Sequence, residues 1–113
     1  MHTTQTPYTI LMMMTATPAW LSLPREERGA FNANVVEPLL ERYAERVQVR
    51  FFDAEAFTAR CSDFVIFTAL DLKAYYFLIE ELRDTAMFIT PYFVVNDVII
   101  GLENGYQAFE EEQ

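Results

Sequence analysis

Arg46-Val47-Gln48-Val49-Arg50-Phe51 alternates without a break. Val47, Val49 and Phe51 face one way, and Arg46, Gln48 and Arg50 the other. A period of two marks a strand with one dry face. Toward the N-terminus, Phe31, Val35, Leu39 and Tyr43 recur at helical spacing. They predict a helix capped by Ser22, with Pro24 tolerated in its first turn. Glu26 and Glu27 suit the positive end of its dipole. The helix runs through about Tyr43, and Pro38 should kink it, because its ring meets the carbonyl of Asn34. Thr17-Pro18-Ala19-Trp20-Leu21 is a break, since proline disfavours helix at the residue before it. Ahead of the break, Tyr8 to Thr15 is nearly all apolar and reads as a strand covered on both faces.

Toward the C-terminus, Asp53-Ala54-Glu55-Ala56 interrupts the strand. Cys61 to Thr68 begins the next, after a link that is either a hairpin or a wider excursion. Asp71 caps a second helix with the stripe Leu72, Tyr75, Tyr76, Ile79 and Leu82. Thr85 to Pro91 is a connection. Tyr92 to Ile100 reads as the last strand, with a bulge or turn at Asn96-Asp97. Gly101 and Gly105 then punctuate a tail that ends in Glu110-Glu111-Glu112.

Strand, helix, strand, strand, helix, strand is two split βαβ units in tandem. The expected fold is an α+β, ferredoxin-like βαββαβ sandwich: one four-stranded antiparallel sheet, two helices on one face. A single domain spans residues 1–113, with a loose start over 1–6 and an acidic tail over 106–113. The second face of such a sheet should read polar if it meets water. Here Phe64 and Ile66 oppose Val65 and Phe67, and Tyr92 and Val94 oppose Phe93 and Val95. Both faces are apolar, which calls for a cover. An identical sheet is the simplest one, so the chain is expected to form a homodimer of the dimeric α/β-barrel type.

The totals exclude several functions. Against 8 Lys+Arg stand 17 Asp+Glu, so the chain has no basic stripe for nucleic acid. Most of the acid lies beyond residue 60, where Lys73 and Arg83 are the basic side chains. That half would repel anionic membranes. Cys61 and His2 are the lone cysteine and histidine, which argues against a disulfide and against a metal site. No stretch approaches a membrane span or a signal segment, so the expected location is cytoplasmic. No cofactor is expected.

Candidates for chemistry are few. Cys61, beside the cation of Arg60, is a candidate reactive thiol or a small core residue. Asp53, Glu55, Arg60 and Asp63 cluster around one strand connection. Arg60 suits a substrate carboxylate or phosphate, and either aspartate a general base if desolvated; the plain alternative is a loop ion pair. Trp20, Tyr75, Tyr76 and Tyr92 are candidates to line a pocket between helices and sheet, with Glu80 one turn beyond Tyr76. Aromatics on a helix stripe are more often plain core.

The segments Thr17 to Arg28, Arg50 to Phe57, Arg60-Cys61-Ser62-Asp63 and Tyr75 to Arg83 together resemble the darcynin family of small bacterial proteins. The resemblance covers nearly the whole chain and implies no assigned function. The layout is also distantly similar to the chlorite dismutase group, through Trp20-Leu21, the helix start Pro24-Arg25-Glu26-Glu27, and an aspartate before an apolar strand. That group binds haem through a histidine. Here the sole histidine is His2, near the polar start, so the haem ligand is not carried over. Two readings follow: a dimeric, non-enzymatic module that binds a small molecule, and a cofactor-independent, monooxygenase-like enzyme acting on a small aromatic compound. The second rests on fold analogy.

Overall fold

The alternating segment forms an edge strand. A computed structural model describes residues 6–113. Strands β1 (Tyr8–Ala16), β2 (Val47–Asp53), β3 (Asp63–Ala69) and β4 (Phe93–Leu102) make a four-stranded sheet in the order β2-β3-β1-β4. Every neighbouring pair is antiparallel. This is the ferredoxin-like α+β arrangement. The proposed loose start falls largely outside the described residues.

Helices α1 (Pro18–Leu21), α2 (Arg25–Phe31), α3 (Glu37–Arg42), α4 (Leu72–Arg83), α5 (Ala86–Ile89) and α6 (Gly105–Glu111) complete the chain. Several differ from the sequence reading. Ser22 does not start a helix; it closes α1, and Pro24 stands before α2 with no side-chain cap. Thr85 caps α5 inside the expected plain connection. β4 runs past Gly101, and the acidic tail is the helix α6, entered through Asn104 at a left-handed φ of 51°. Asparagine tolerates that conformation better than most residues.

The largest difference is at Pro38. The expected kink takes the form of a π-turn over Asn32–Val36, between α2 and α3. The Glu37 N–H reaches back to the Asn32 carbonyl. A wider turn adds one residue to the repeat. The inward row therefore shifts: after Phe31 it is Val36, not Val35, that is buried.

One face of the sheet carries the core. Ile10, Met12 and Met14 of β1 lie beside Phe67, Val65 and Asp63 of β3. Val49 and Phe51 of β2 continue the Phe67 and Val65 rows, and Val47 stands beside Ala69 in the next. Ala74, Leu78 and Leu82 of α4 and Met87 of α5 close over them, with Phe31, Leu39, Leu40 and Tyr43 alongside. The Asp71 carboxylate accepts from the Ala74 N–H at 2.7 Å and pairs with Arg46 at 3.0 Å, pinning the start of α4 to the start of β2. At the other end, Glu81 of α4 accepts from the Tyr43 hydroxyl and from Arg42. The Tyr43 hydrogen bond, followed by Arg42, holds the Glu81 carboxyl below its ordinary range.

By the alternation of the strands, the opposite face presents Leu11, Met13, Phe52, Phe64, Ile66, Val94 and Ile99. No helix core residue belongs to it. Ile66, Leu11 and Ile99 form one row across three strands. Ile99 is 58% exposed. No described helix is long and apolar enough to cross a membrane.

Candidate functional site

Thr17 begins the site. Its N–H donates to the Tyr92 carbonyl at 2.9 Å, and its hydroxyl donates to the Pro91 carbonyl at 2.7 Å. The same oxygen caps α1 by accepting from the Trp20 N–H. The break at Thr17-Pro18 is thus a short capped helix tied to the start of β4. It swings Trp20 inward, to 9% exposure. The indole packs against Tyr92 and Phe93, each 5.2 Å between ring centres, and edge-on to Phe31 at 6.0 Å. Phe31 meets Tyr92 edge-to-face at 5.1 Å. Such tilted pairs are favourable beyond the area that they bury.

In front of this cluster is a cleft of about 370 Å³, between the sheet and the α2–α3 segment. A volume of this order suits a small organic molecule. Trp20, Phe31, Phe51 and Phe93 give aromatic walls; Met14, Val36, Leu40 and Met87 give an aliphatic floor. The π-turn places Phe31, Val36 and Leu40 on the cleft, and sets Asn32 and Glu37 at its two ends beside it. Asp53 and Asp63 complete the lining.

Those two aspartates are direct partners in the β2–β3 ladder. The link from residue 54 to residue 62 is therefore a hairpin, closed by the Ala54 N–H donating to the Ser62 carbonyl. The Ser62 hydroxyl donates to the Asp63 carboxylate at 2.7 Å and accepts from the Ala16 N–H at 2.7 Å. Burial pushes the Asp63 carboxyl above its ordinary range; the Ser62 hydrogen bond pulls it down, and the hydrogen bond and charge of Asp53 push it up again.

That shift has a sign. The folded state binds the Asp63 proton more tightly than the unfolded chain. Stability from this group is complete below the unfolded aspartate value and is lost as pH rises through the raised folded value. Asp63→Asn is expected to remove this slope and to be at least as stable as the parent at neutral pH. Urea unfolding between about pH 4 and about pH 7 measures it. An unchanged slope in the variant would show that the dependence arises elsewhere.

The structure sorts the candidates. Trp20, Asp53 and Asp63 meet at the cleft. Tyr92 backs Trp20 rather than lining the cavity. The rest do not converge. Cys61 is 6% exposed and outside the lining, too enclosed for a reactive thiol. Arg60 is exposed in the hairpin, and its carbonyl accepts from the Asn96 amide. Tyr75 packs edge-on to Phe67 at 5.1 Å inside the core, where burial pushes its hydroxyl up. Tyr76 is 56% exposed, and Glu80 pairs with Arg83 on the surface. These last three stand on α4, away from the cleft. Phe31, Asn32, Val36 and Glu37 were missed as a set. Their signal was Pro38, read as a kink and not as an inserted residue.

The donor set bears on haem. Among the described residues there is no histidine. Met14 and Met87 offer thioethers, which serve in haem proteins opposite a histidine. The polar wall is acidic and carries no cation to pair with propionates. These residues do not fit a haem. Nor do three His, Cys, Asp or Glu side chains gather to hold a metal among the described residues.

The family model of darcynin, a domain of unknown function, matches residues 1–111. The chain belongs to the darcynin family. Darcynin 1 of Acinetobacter baumannii is 39% identical over 90 residues, 80% of this chain and 99% of that one. A darcynin homolog of Streptomyces avermitilis is 41% identical over 104 residues, 91% of this chain and 84% of that one. Among solved structures, this darcynin is similar in fold to chlorite dismutase from Candidatus Nitrospira defluvii, with TM-score 0.75, 16% identity and 89% of this chain covered. It is also similar to a protein of Thermus thermophilus described as heme-binding, with TM-score 0.79, 17% identity and 95% covered. The chain spans 42% and 45% of the length of those two. At such identity the likeness establishes the fold.

Proposed function

We propose that this darcynin is a small-molecule-binding module that works as a homodimer packed sheet to sheet. The cleft carries the reading: about 370 Å³ of space walled by four aromatic rings, with polar groups from both the α2–α3 segment and the sheet. The dimer draws on the second sheet face. Strands spaced about 4.8 Å apart and rising about 3.3 Å per residue give it roughly 19 Å by 30 Å. That footprint of about 570 Å² falls at the low end of the range for specific interfaces, below the ~800 Å² per partner of a standard one. The longer neighbours, in which a unit of this fold is under half of the chain, accord with a unit that is not solitary.

Native mass spectrometry of the purified protein tests the ligand. The expected result is a dimer carrying an organic molecule that leaves on mild activation and rebinds with a change in the fluorescence of Trp20, the one tryptophan of the chain. A protein that neither copurifies with nor rebinds any molecule would overturn the reading. The paired carboxyls favour a second reading, a cofactor-independent enzyme on a small aromatic compound with Asp63 carrying the proton. Conversion of the bound molecule by the parent, and not by Asp63→Asn, would decide for it.

A further inference from the structure

The lining of the cleft has a composition that selects among ligands. Its rings are those of Trp20, Phe31, Phe51 and Phe93; its ionisable groups are Glu37, Asp53 and Asp63; and neither lysine nor arginine is among its residues. Ring faces carry negative charge density and attract cations, the indole most of all. Carboxylates accept charge-assisted hydrogen bonds from ammonium groups and repel anions. The walls suit an apolar or aromatic body, and the acidic groups suit a cation at its end. Their placement is built into the fold. The π-turn sets Glu37 beside Val36 on the helix side, and the β2–β3 ladder sets Asp53 next to Asp63 on the sheet side. A carboxylate ligand would meet like charge on both sides and no counterion. A neutral one would leave the acids without a partner that it supplies.

We infer that the ligand is a primary or quaternary amine on a small apolar or aromatic body, its body among Trp20, Phe31 and Phe93 and its cation toward Asp53, Asp63 and Glu37. The inference rests on the cleft being a binding site, as proposed above. It deepens that reading by fixing the charge and class of what binds.

Three probes of one shape test it: 2-phenylethylamine, 2-phenylethanol and phenylacetate, titrated into the full chain at neutral pH. Trp20 fluorescence reports on the cleft directly. The amine is expected to bind about tenfold tighter than the alcohol, in keeping with one hydrogen bond to a charged group, and phenylacetate weakest of all. In Asp53→Asn/Asp63→Asn, amine affinity is expected to fall to that of the alcohol. Far-UV circular dichroism and the unfolding midpoint should stay close to those of the parent, which shows that the variant keeps its fold. Equal binding of amine and alcohol, or tightest binding of phenylacetate, would overturn the amine class while leaving the cleft as a site. No response to any of the three would overturn both readings.

Discussion

If the proposed dimer forms, Ile66→Glu is expected to turn it into a monomer, lowering the mass in sedimentation equilibrium from about twice 13.2 kDa to 13.2 kDa. Ile66 stands on β3 beside Leu11 of β1, in a row that continues to Ile99 of β4 and ends at Arg50 of β2. β3 and β1 are the two inner strands, so this position lies near the middle of the uncovered face. In a two-fold dimer each substitution occurs twice, and the two new carboxylates approach one another across the axis. Arg50 beside it offsets part of the cost, but taking the new charges out of water still costs several kcal/mol per ion. In the monomer the same side chain meets water, away from Ile10, Met12 and Val65 on the core face. Far-UV circular dichroism should therefore be unchanged, which separates loss of assembly from loss of fold. A parent protein that sediments as a monomer at micromolar concentration would overturn the dimer. A variant that remains dimeric would move the interface off this face.

The fold was legible because the periods were clean. The alternation of Arg46 to Phe51 and the two-faced run of Phe64 to Phe67 gave β2 and β3, and element order then left few topologies. The site was less legible, for two physical reasons. The first is the π-turn. A reading with a fixed period of 3.6 placed Val35 inward, whereas the inserted residue turns Val36 and Glu37 to the cleft. The second is rotation of α4. The stripe through Leu72 and Tyr76 is apolar, yet both are exposed, and Ala74 and Leu78 face the core instead. Alanine beside large residues carries little weight in a pattern, although it is what lets a helix approach a sheet closely. Asp53 and Asp63 were found because they flank one hairpin. Their opposition became visible only once the register was known.

That rotation leads to the second large effect. Leu78→Ala is expected to cost about 3 kcal/mol, within the ~2–5 kcal/mol of fully buried leucines, and to lower Tm by roughly 12–20 °C. Leu78 is 0% exposed and sits in the cluster that joins α4 to Ile10, Met14 and Met87. Removing its branches takes apolar surface out of close contact and leaves a void that rigid strands below cannot fill. Tyr76→Ala, two residues away and 56% exposed, is expected to change stability by no more than about 0.5 kcal/mol. The comparison is sharp because the sequence stripe predicts the opposite ranking. Met14 and Met87 belong both to this cluster and to the floor of the cleft, so core and site should fail together. The Trp20 fluorescence transition and the circular dichroism transition should then coincide in parent and variant alike. Equal losses from the two substitutions would place α4 in the other rotation, and separated transitions would mean that the cleft unfolds apart from the sheet.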